Sequence, residues 1–138
     1  MIYLAAAYDR QKEIKAIALE LQSVGVPVLS RWLDEQDCPP NQDFEDFLAD
    51  NALKDIDDLN QCHTLVRFTD DLSTDFVPSR IASGARMFET GYAYSQGKRI
   101  IVVGGHQNVF DRLPGIIHLS DKDELKAILK RETQHAHD

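Results

Sequence analysis

A chain of 138 residues fits one domain with a single hydrophobic core, and this length excludes an enzyme built from two domains. Its 43% hydrophobic and 28% charged residues are typical of a folded protein without a membrane span. A net charge of -8 argues against binding to a nucleic-acid polymer, because the polymer backbone requires a positive surface.

The two cysteines, Cys38 and Cys62, lack the spacing of a disulfide framework or a zinc site. They predict a reducing compartment, and the short apolar run before Asp9 lacks the features of a signal peptide. We therefore expect one cytoplasmic domain over residues 1–138, with a frayed tail over residues 133–138.

Strand-like and helix-like patterns alternate along the chain. The apolar runs predict five strands, at residues 1–6, 26–29, 64–68, 100–103 and 115–119. The helical periodicity predicts four helices, at residues 10–24, 43–61, 84–96 and 121–131, the first of them with Asp9 as its N-cap. The polar stretch 69–83 has little periodicity and is typical of a lid or binding segment.

This alternation predicts an α/β fold, a flavodoxin-like or Rossmann-like three-layer sandwich around a five-stranded, mainly parallel sheet. Pro27 removes a backbone donor from the second strand and so favours the sheet edge, which fits the strand order 2-1-3-4-5. In such a sheet, ligands bind beyond the carboxyl ends of the strands, near the junction of strands 1 and 3.

Two carboxylates fall on helix faces that we expect to point into the protein. Asp55 lies near the centre of the apolar stripe of the second helix, which consists of Phe44, Phe47, Leu48, Ala52 and Leu59. Glu89 lies in the stripe of the third helix, which consists of Ala85, Phe88, Tyr92 and Ala93. A carboxylate in such a position needs donors, a cation or a pocket, because burial without them is costly.

Two arrangements of these carboxylates remain open. In the first, each has an internal arginine as its partner: Arg67 for Asp55, and Arg86 or Arg80 for Glu89. In the second, both carboxylates face one cleft, where burial biases their pKa values upward.

Several stretches of the chain resemble the nucleoside 2-deoxyribosyltransferase-like family, which includes deoxynucleotide N-hydrolases. They lie at residues 2–6, 30–33, 55–59, 83–93, 97–104 and 108–110. The most specific is the Phe-Glu-x-Gly-Tyr-Ala segment at 88–93, which is followed by Gly-Lys and an aliphatic strand. The resemblance spans nearly the whole chain and implies cleavage or transfer at the N-glycosidic bond of a nucleoside or nucleoside 5′-monophosphate, without a cofactor.

The resemblance also implies roles for the two carboxylates. The family's nucleophilic glutamate matches Glu89, and the aspartate that assists it matches Asp55. Such a pair suits the chemistry, because one carboxylate supports the positive charge that develops at C1′ while the other acid manages the proton of the departing base. Family members are often oligomers that complete the pocket with a neighbour's residue, so the implied partners are a small nucleoside or nucleotide and a second copy of the chain.

The chain departs from the family after the first strand. Residues 5–8 read Ala-Ala-Ala-Tyr where relatives commonly have a glycine-containing loop. A small side chain at Ala6 still permits close approach of a ligand. Tyr8 either orients Glu89, contacts the sugar or packs under the loop.

Five more residues are candidates for substrate binding. Ser83 and Gly84 open a helix and Arg86 adds a positive charge, so a 5′-phosphate can bind there; the alternative is a plain helix cap with a surface arginine. Trp32 either stacks on a base or packs in the core. Asn108 either reaches a sugar hydroxyl, in its own or a neighbouring subunit, or only shapes a turn.

Two other functions compete with glycosyl chemistry. One is a nucleotide-binding or sensing module with the same fold and no turnover. The other is a metal-dependent phosphoesterase that uses Asp70, Asp71 and Asp75. The histidines lack metal-ligand spacing, and the glycines after the fourth strand lack a dinucleotide fingerprint, so neither a metal nor a cofactor is expected.

Overall fold

A computed structural model describes residues 1–70 and 84–136 of the chain. Within these residues lies one parallel sheet with the order β1-β2-β3-β4. Its strands are β1 (Ile2–Ala5), β2 (Thr64–Phe68), β3 (Arg99–Val103) and β4 (Ile117–Leu119). The α/β class and the parallel sheet are therefore confirmed.

The predicted five strands and the order 2-1-3-4-5 are wrong for the described residues. Residues 26–29 do run beside β1 at the sheet edge, but they form only one isolated bridge, between Ile2 and Val28. The Ile2 N–H donates to the Pro27 carbonyl at 3.0 Å, and the Leu29 N–H donates to the Ile2 carbonyl at 2.9 Å. Pro27 itself has no N–H to extend this ladder, so the segment does not become a strand.

The described ranges contain four α-helices beside the sheet: α1 (Gln11–Ser23), α2 (Phe44–Gln61), α3 (Ala85–Ser95) and α4 (Lys122–Ala136). Asp9 is not the N-cap of α1, because it lies in a 3-10 turn, Tyr8–Arg10, that precedes the helix. The helix α4 continues to Ala136, where a frayed tail was expected, and residues 137–138 lie outside the described part. So do residues 71–83 of the predicted lid.

The helices form two layers around the sheet, since α1 packs against α4 and α2 packs against α3. The strands supply the centre of the core, where Leu4, Leu65 and Ile101 are fully buried. No helix in the described ranges has the length and apolar character that crossing a membrane requires.

The predicted inward stripes of α2 and α3 are largely wrong. Phe44 and Phe88 are 59% and 63% exposed, and Leu48 is also exposed. Only the last turns of α2 reach the core, where Leu59 is buried, and Ala93 is the buried member of the α3 stripe. Amphipathic periodicity identifies an apolar face, but it does not say whether the chain's own core covers that face.

A close backbone approach joins the carboxyl ends of β2 and β3. Gly104 follows β3 with φ at +112°, and a Cβ at this position would lie 2.0 Å from Oγ1 of Thr69. The Thr69 N–H donates to the Val103 carbonyl at 2.9 Å, and the Gly104 N–H donates to the Leu119 carbonyl at 2.8 Å. Glycine is therefore required at position 104, both for its backbone angle and for space.

Candidate active site

The structure brings Asp55 of α2 and Glu89 of α3 to one open groove. The groove has a volume of about 290 Å³, and its other lining residues are Ala52, Ile56, Gly84, Ala85 and Phe88. The two helices pack against each other, so carboxylates from different parts of the sequence meet on a mostly apolar surface. This is the second of the two arrangements that the sequence left open.

Internal arginines are engaged elsewhere. Arg67 is buried and forms an ion pair with the buried Asp111, and Arg86 forms an ion pair with Asp70 at 2.5 Å. Within the described part of the chain, no lysine or arginine forms a salt bridge with either groove carboxylate. Asp55 and Glu89 therefore have no salt-bridge partner among residues 1–70 and 84–136, and Arg80, the other arginine considered for Glu89, lies outside these residues.

Glu89 is held by a tyrosine that the sequence interpretation missed. The hydroxyl of Tyr3, on β1, donates a hydrogen bond to Oε2 of Glu89. Tyr3 is fully buried, and burial together with the nearby Glu89 and Asp55 raises the pKa of its phenol far above the usual range. The phenol therefore stays protonated as a donor. The signal was available in the sequence, because a buried tyrosine in an apolar strand needs a hydrogen-bond partner.

The two groove carboxylates have different proton affinities. Burial raises the pKa of Glu89 to about 8; the Tyr3 hydrogen bond opposes this rise and the charge of Asp55 adds to it. Burial raises the pKa of Asp55 to about 6, with Glu35 and Asp58 adding to the rise and Arg31 opposing it. Between these pH values the pair holds one proton, which is the condition for one acid and one base at a single site.

Asp58, one turn beyond Asp55, is the carboxylate that α2 buries completely. It accepts hydrogen bonds from the backbone N–H of Arg31 at 2.8 Å and from Nε of Arg31 at 2.7 Å. These bonds attach the Arg31–Asp34 turn to α2. Asp58 was not predicted, although its spacing of three residues from Asp55 places both on neighbouring helix positions.

A larger cavity, of about 500 Å³, opens beside Asp55, which lines both it and the groove. Trp32 forms part of its wall, and the indole N–H donates to the Leu4 carbonyl at 2.7 Å, so the ring is fixed in place. Tyr8 lies against Trp32 with ring centroids 6.4 Å apart and is half exposed. The hydrogen bond to Glu89 comes from Tyr3 and not from Tyr8, whose contact with a sugar stays a prediction.

Asn108 lies at a different cavity, of about 450 Å³, on another face of α3. Its side-chain oxygen accepts from the Phe110 N–H at 2.8 Å and caps the 3-10 turn Val109–Arg112. Met87, Thr90 and other α3 residues line this cavity, whereas Phe88 and Glu89 line the groove. Within one chain, the structure therefore does not bring Asn108 to the two carboxylates.

The remaining candidates occupy separate positions. Gly84 lines the groove next to Ala85, and Arg86 turns inward to Asp70. Ala6 follows β1 directly and is half-buried against the core. Ser83 lies outside the described residues.

The structure gives no support to a metal site within residues 1–70 and 84–136. No group of three His, Cys, Asp or Glu side chains in these ranges could hold an ion. Of the three aspartates considered for a metal-dependent phosphoesterase, Asp70 is paired with Arg86. The other two, Asp71 and Asp75, lie outside the described part of the chain.

Comparison with known proteins gives structural matches only. No protein-family model and no curated protein matches the chain. A 2-deoxyribosyltransferase from Bacillus psychrosaccharolyticus matches with a TM-score of 0.67 and 17% identity, over 93% of this chain and 94% of that one. A CMP N-glycosidase from Clostridium botulinum matches with a TM-score of 0.58 and 19% identity, over 94% and 98% of the two chains.

A third structure, a conserved protein from Enterococcus faecalis V583, matches with a TM-score of 0.66 and 12% identity. It covers 95% of this chain and 97% of its own. At these identities the matches show a shared fold over nearly the full length of each protein. The resemblance to the nucleoside 2-deoxyribosyltransferase-like family is confirmed at that level.

Proposed function

We propose that this chain cleaves the N-glycosidic bond of a nucleoside or nucleoside 5′-monophosphate, and transfers or hydrolyses the sugar, with Glu89 as nucleophile. The observation that carries the proposal is the pair of carboxylates on one groove, neither of which forms a salt bridge within the described part of the chain, with Glu89 held by the Tyr3 hydroxyl. Two proteins that share the fold, a 2-deoxyribosyltransferase and a CMP N-glycosidase, support the same class of bond.

The first step forms a sugar ester. An ionised Glu89 oxygen attacks C1′ as the bond from C1′ to the base nitrogen breaks, and the electrons of that bond leave with the base. Protonated Asp55 gives its proton to the departing base, which leaves neutral. The Tyr3 hydrogen bond holds the carboxylate in the orientation for attack.

The second step releases the sugar and restores the pair. Asp55, now ionised, takes a proton from water as the water oxygen attacks C1′, and the ester bond to Glu89 breaks. If a second base occupies the site, its nitrogen attacks C1′ instead, Asp55 takes the proton from that nitrogen, the ester bond to Glu89 breaks, and the product is a new nucleoside. The same two carboxylates therefore serve hydrolysis and transfer.

A substrate panel tests the proposal. The protein is incubated with ribo- and deoxyribonucleosides and their 5′-monophosphates, with and without a second free base, and the products are separated by chromatography. We expect release of free base, or exchange of bases, that is unchanged by EDTA. Ligand binding without release would contradict the proposal and favour a nucleotide-binding module.

Tyr3 is proposed as a positioning residue, and Tyr3→Phe tests this role. The Tyr3 hydrogen bond lowers the pKa of Glu89, so its loss raises that pKa further. We expect kcat/KM to fall by about 10- to 100-fold. The alkaline limb of the pH profile should move above 8, a shift that a purely structural role would not cause. Tyr94→Phe, on another face of α3, is the control; unchanged limbs in Tyr3→Phe would contradict the role.

We also propose that a second copy of the chain covers the groove. The outer face of α2 and α3 carries exposed apolar side chains: Phe44, Leu48, Ala52, Ala85 and Phe88. This face is continuous with the groove, since three of these residues line it beside Asp55 and Glu89. Solvent at an open groove weakens electrostatic catalysis and competes for a sugar ester, so coverage by a partner would complete the site.

Light scattering on a size-exclusion column checks this association. We expect the wild-type chain to elute with at least twice the mass of one chain, because an exposed apolar face of this kind favours burial. Leu48→Glu should shift the protein to the mass of one chain. Leu53→Glu, at an exposed position on the opposite side of α2, should leave the mass unchanged. A wild-type monomer at micromolar concentration would contradict the proposal.

A further inference from the structure

The cavity beside Asp55 has the size of a small-molecule site, at about 500 Å³. Because Asp55 lines both this cavity and the groove, a base held in the cavity would lie next to the proposed acid. The groups that line the cavity therefore bear on which base the protein accepts.

The cavity wall that carries Glu35 is rigidly attached to the rest of the protein. The side-chain amide of Gln11 donates to the Trp32 carbonyl at 2.7 Å and to the Glu35 carbonyl at 3.0 Å. Asp58 holds the start of the same turn through Arg31. Glu35 is thus positioned before any ligand arrives, which reduces the ordering cost of binding.

Glu35 and Asn51 together present oxygen atoms rather than N–H groups. Nδ2 of Asn51 donates to Oε1 of Glu35 at 2.8 Å, and this bond fixes the orientation of the amide. In the described ranges, neither the second oxygen of Glu35 nor Oδ1 of Asn51 accepts a further hydrogen bond from the protein. Burial raises the pKa of Glu35, and the charge of Lys54 opposes this rise. The ionised carboxylate can only accept hydrogen bonds.

We infer that Glu35, with Asn51, selects bases that carry an exocyclic amino group, such as cytosine and adenine, over bases with a carbonyl there, such as uracil and thymine. This inference rests on the proposed function for its reaction. An amino group offers two N–H donors to the two free acceptor oxygens, whereas a carbonyl would face the carboxylate with its lone pairs. A polar pocket of this kind discriminates strongly between bases, because the wrong base leaves the acceptor oxygens of the pocket without donors.

The experiment measures kcat/KM for deoxycytidine and deoxyuridine, and for their 5′-monophosphates, in wild type and Glu35→Gln. The readout is the ratio of kcat/KM for deoxycytidine to kcat/KM for deoxyuridine. This ratio is compared between wild type and Glu35→Gln, because the two bases differ in leaving ability. We expect the wild-type ratio to favour deoxycytidine, and Glu35→Gln to shift it toward deoxyuridine by about tenfold or more, since the new amide can donate to a carbonyl. Glu45→Gln, at an exposed position in α2, should keep the wild-type ratio.

Failure of this inference is distinguishable from failure of the proposed function. Base release with the same ratio in wild type and Glu35→Gln would overturn the base preference and leave the function intact. If no base is released, binding is measured by the fluorescence of Trp32, the only tryptophan, which lines the cavity. Tighter binding of deoxycytidine, weakened by Glu35→Gln, would then support the preference without turnover. Equal or absent binding of the two nucleosides would overturn it.

Discussion

Glu89→Gln is expected to lower kcat/KM for base release on the order of 1000-fold or more, because the substitution removes the proposed nucleophile. The amide has nearly the same shape as the carboxylate and can still accept the Tyr3 hydrogen bond. The measurement is release of free base at saturating and limiting substrate, with Glu45→Gln as an exposed control. Base release by Glu89→Gln close to the wild-type rate would contradict the role of Glu89.

Glu89→Gln is expected to raise the stability of the fold while it lowers kcat/KM. A stability measurement therefore distinguishes loss of chemistry from loss of fold. The pKa of Glu89 is about 8 in the folded chain, against 4.5 ordinarily, so the folded state binds more protons than the unfolded state between these values. The stability from protonated Glu89 is complete below pH 4.5 and is lost as the pH rises through 8. A neutral glutamine avoids this loss, so we expect the free energy of unfolding in urea at pH 8 to rise by up to about 4 kcal/mol. A decrease would contradict the raised pKa of Glu89.

The dependence of kcat/KM on pH is the second large expected effect. The profile should be bell-shaped with limbs near pH 6 and pH 8, because the site is active only when the pair holds one proton. In the singly protonated pair, the proton resides mainly on Glu89, the group of higher pKa. Attack, however, requires ionised Glu89 and protonated Asp55. The reactive arrangement, with the proton on Asp55, is therefore the minor form of the singly protonated pair.

Asp55→Asn tests the assignment of the acid. The variant keeps the nucleophile, so its profile should rise once with pH and show no alkaline fall. The midpoint should lie below 8, because the Asp55 charge that raises the Glu89 pKa is gone. We expect kcat/KM for nucleosides to fall by about 100-fold. For a nitrophenyl deoxyriboside, whose leaving group needs no proton, the fall in kcat/KM caused by Asp55→Asn should be much smaller.

Asp46→Asn, at an exposed position of the same helix, is the matched control and should keep both limbs. Retention of both limbs in Asp55→Asn would mean that another group supplies the proton. A single limb for nucleosides together with an undiminished nitrophenyl reaction would support Asp55 as the acid.

The fold was predictable where the chain is locally unambiguous. The strand predicted at residues 64–68 matches β2 at both ends, and the second helix, predicted from residue 43, begins at Phe44. Asp43 is the N-cap of α2 and accepts from the Asp46 N–H at 3.1 Å. The segment around Pro27 was placed correctly at the edge, but a strand requires a ladder of hydrogen bonds that periodicity does not reveal.

The two carboxylates of the candidate site could be predicted from the sequence, but the residues that surround them could be predicted only in part. Helical spacing and the family resemblance selected Asp55 and Glu89, and both lie on one groove. Tyr3 was missed in favour of Tyr8, because the hydrogen bond joins residues 86 positions apart in sequence. The exposed face that includes Phe88 was predicted to be core, because apolar periodicity does not show whether the chain's own core covers a face.

The close approach of Gly104 to Thr69 limits how this protein can vary. Any side chain at position 104 would strike Thr69 and also require a backbone angle that L-residues avoid. Substitution of Gly104 would thus destabilise the fold, although Gly104 is not among the residues that line the groove or the cavity beside it. In a laboratory-evolution library, intolerance of substitution at position 104 would report the packing between the carboxyl ends of β2 and β3, and design of new specificities should leave this glycine fixed.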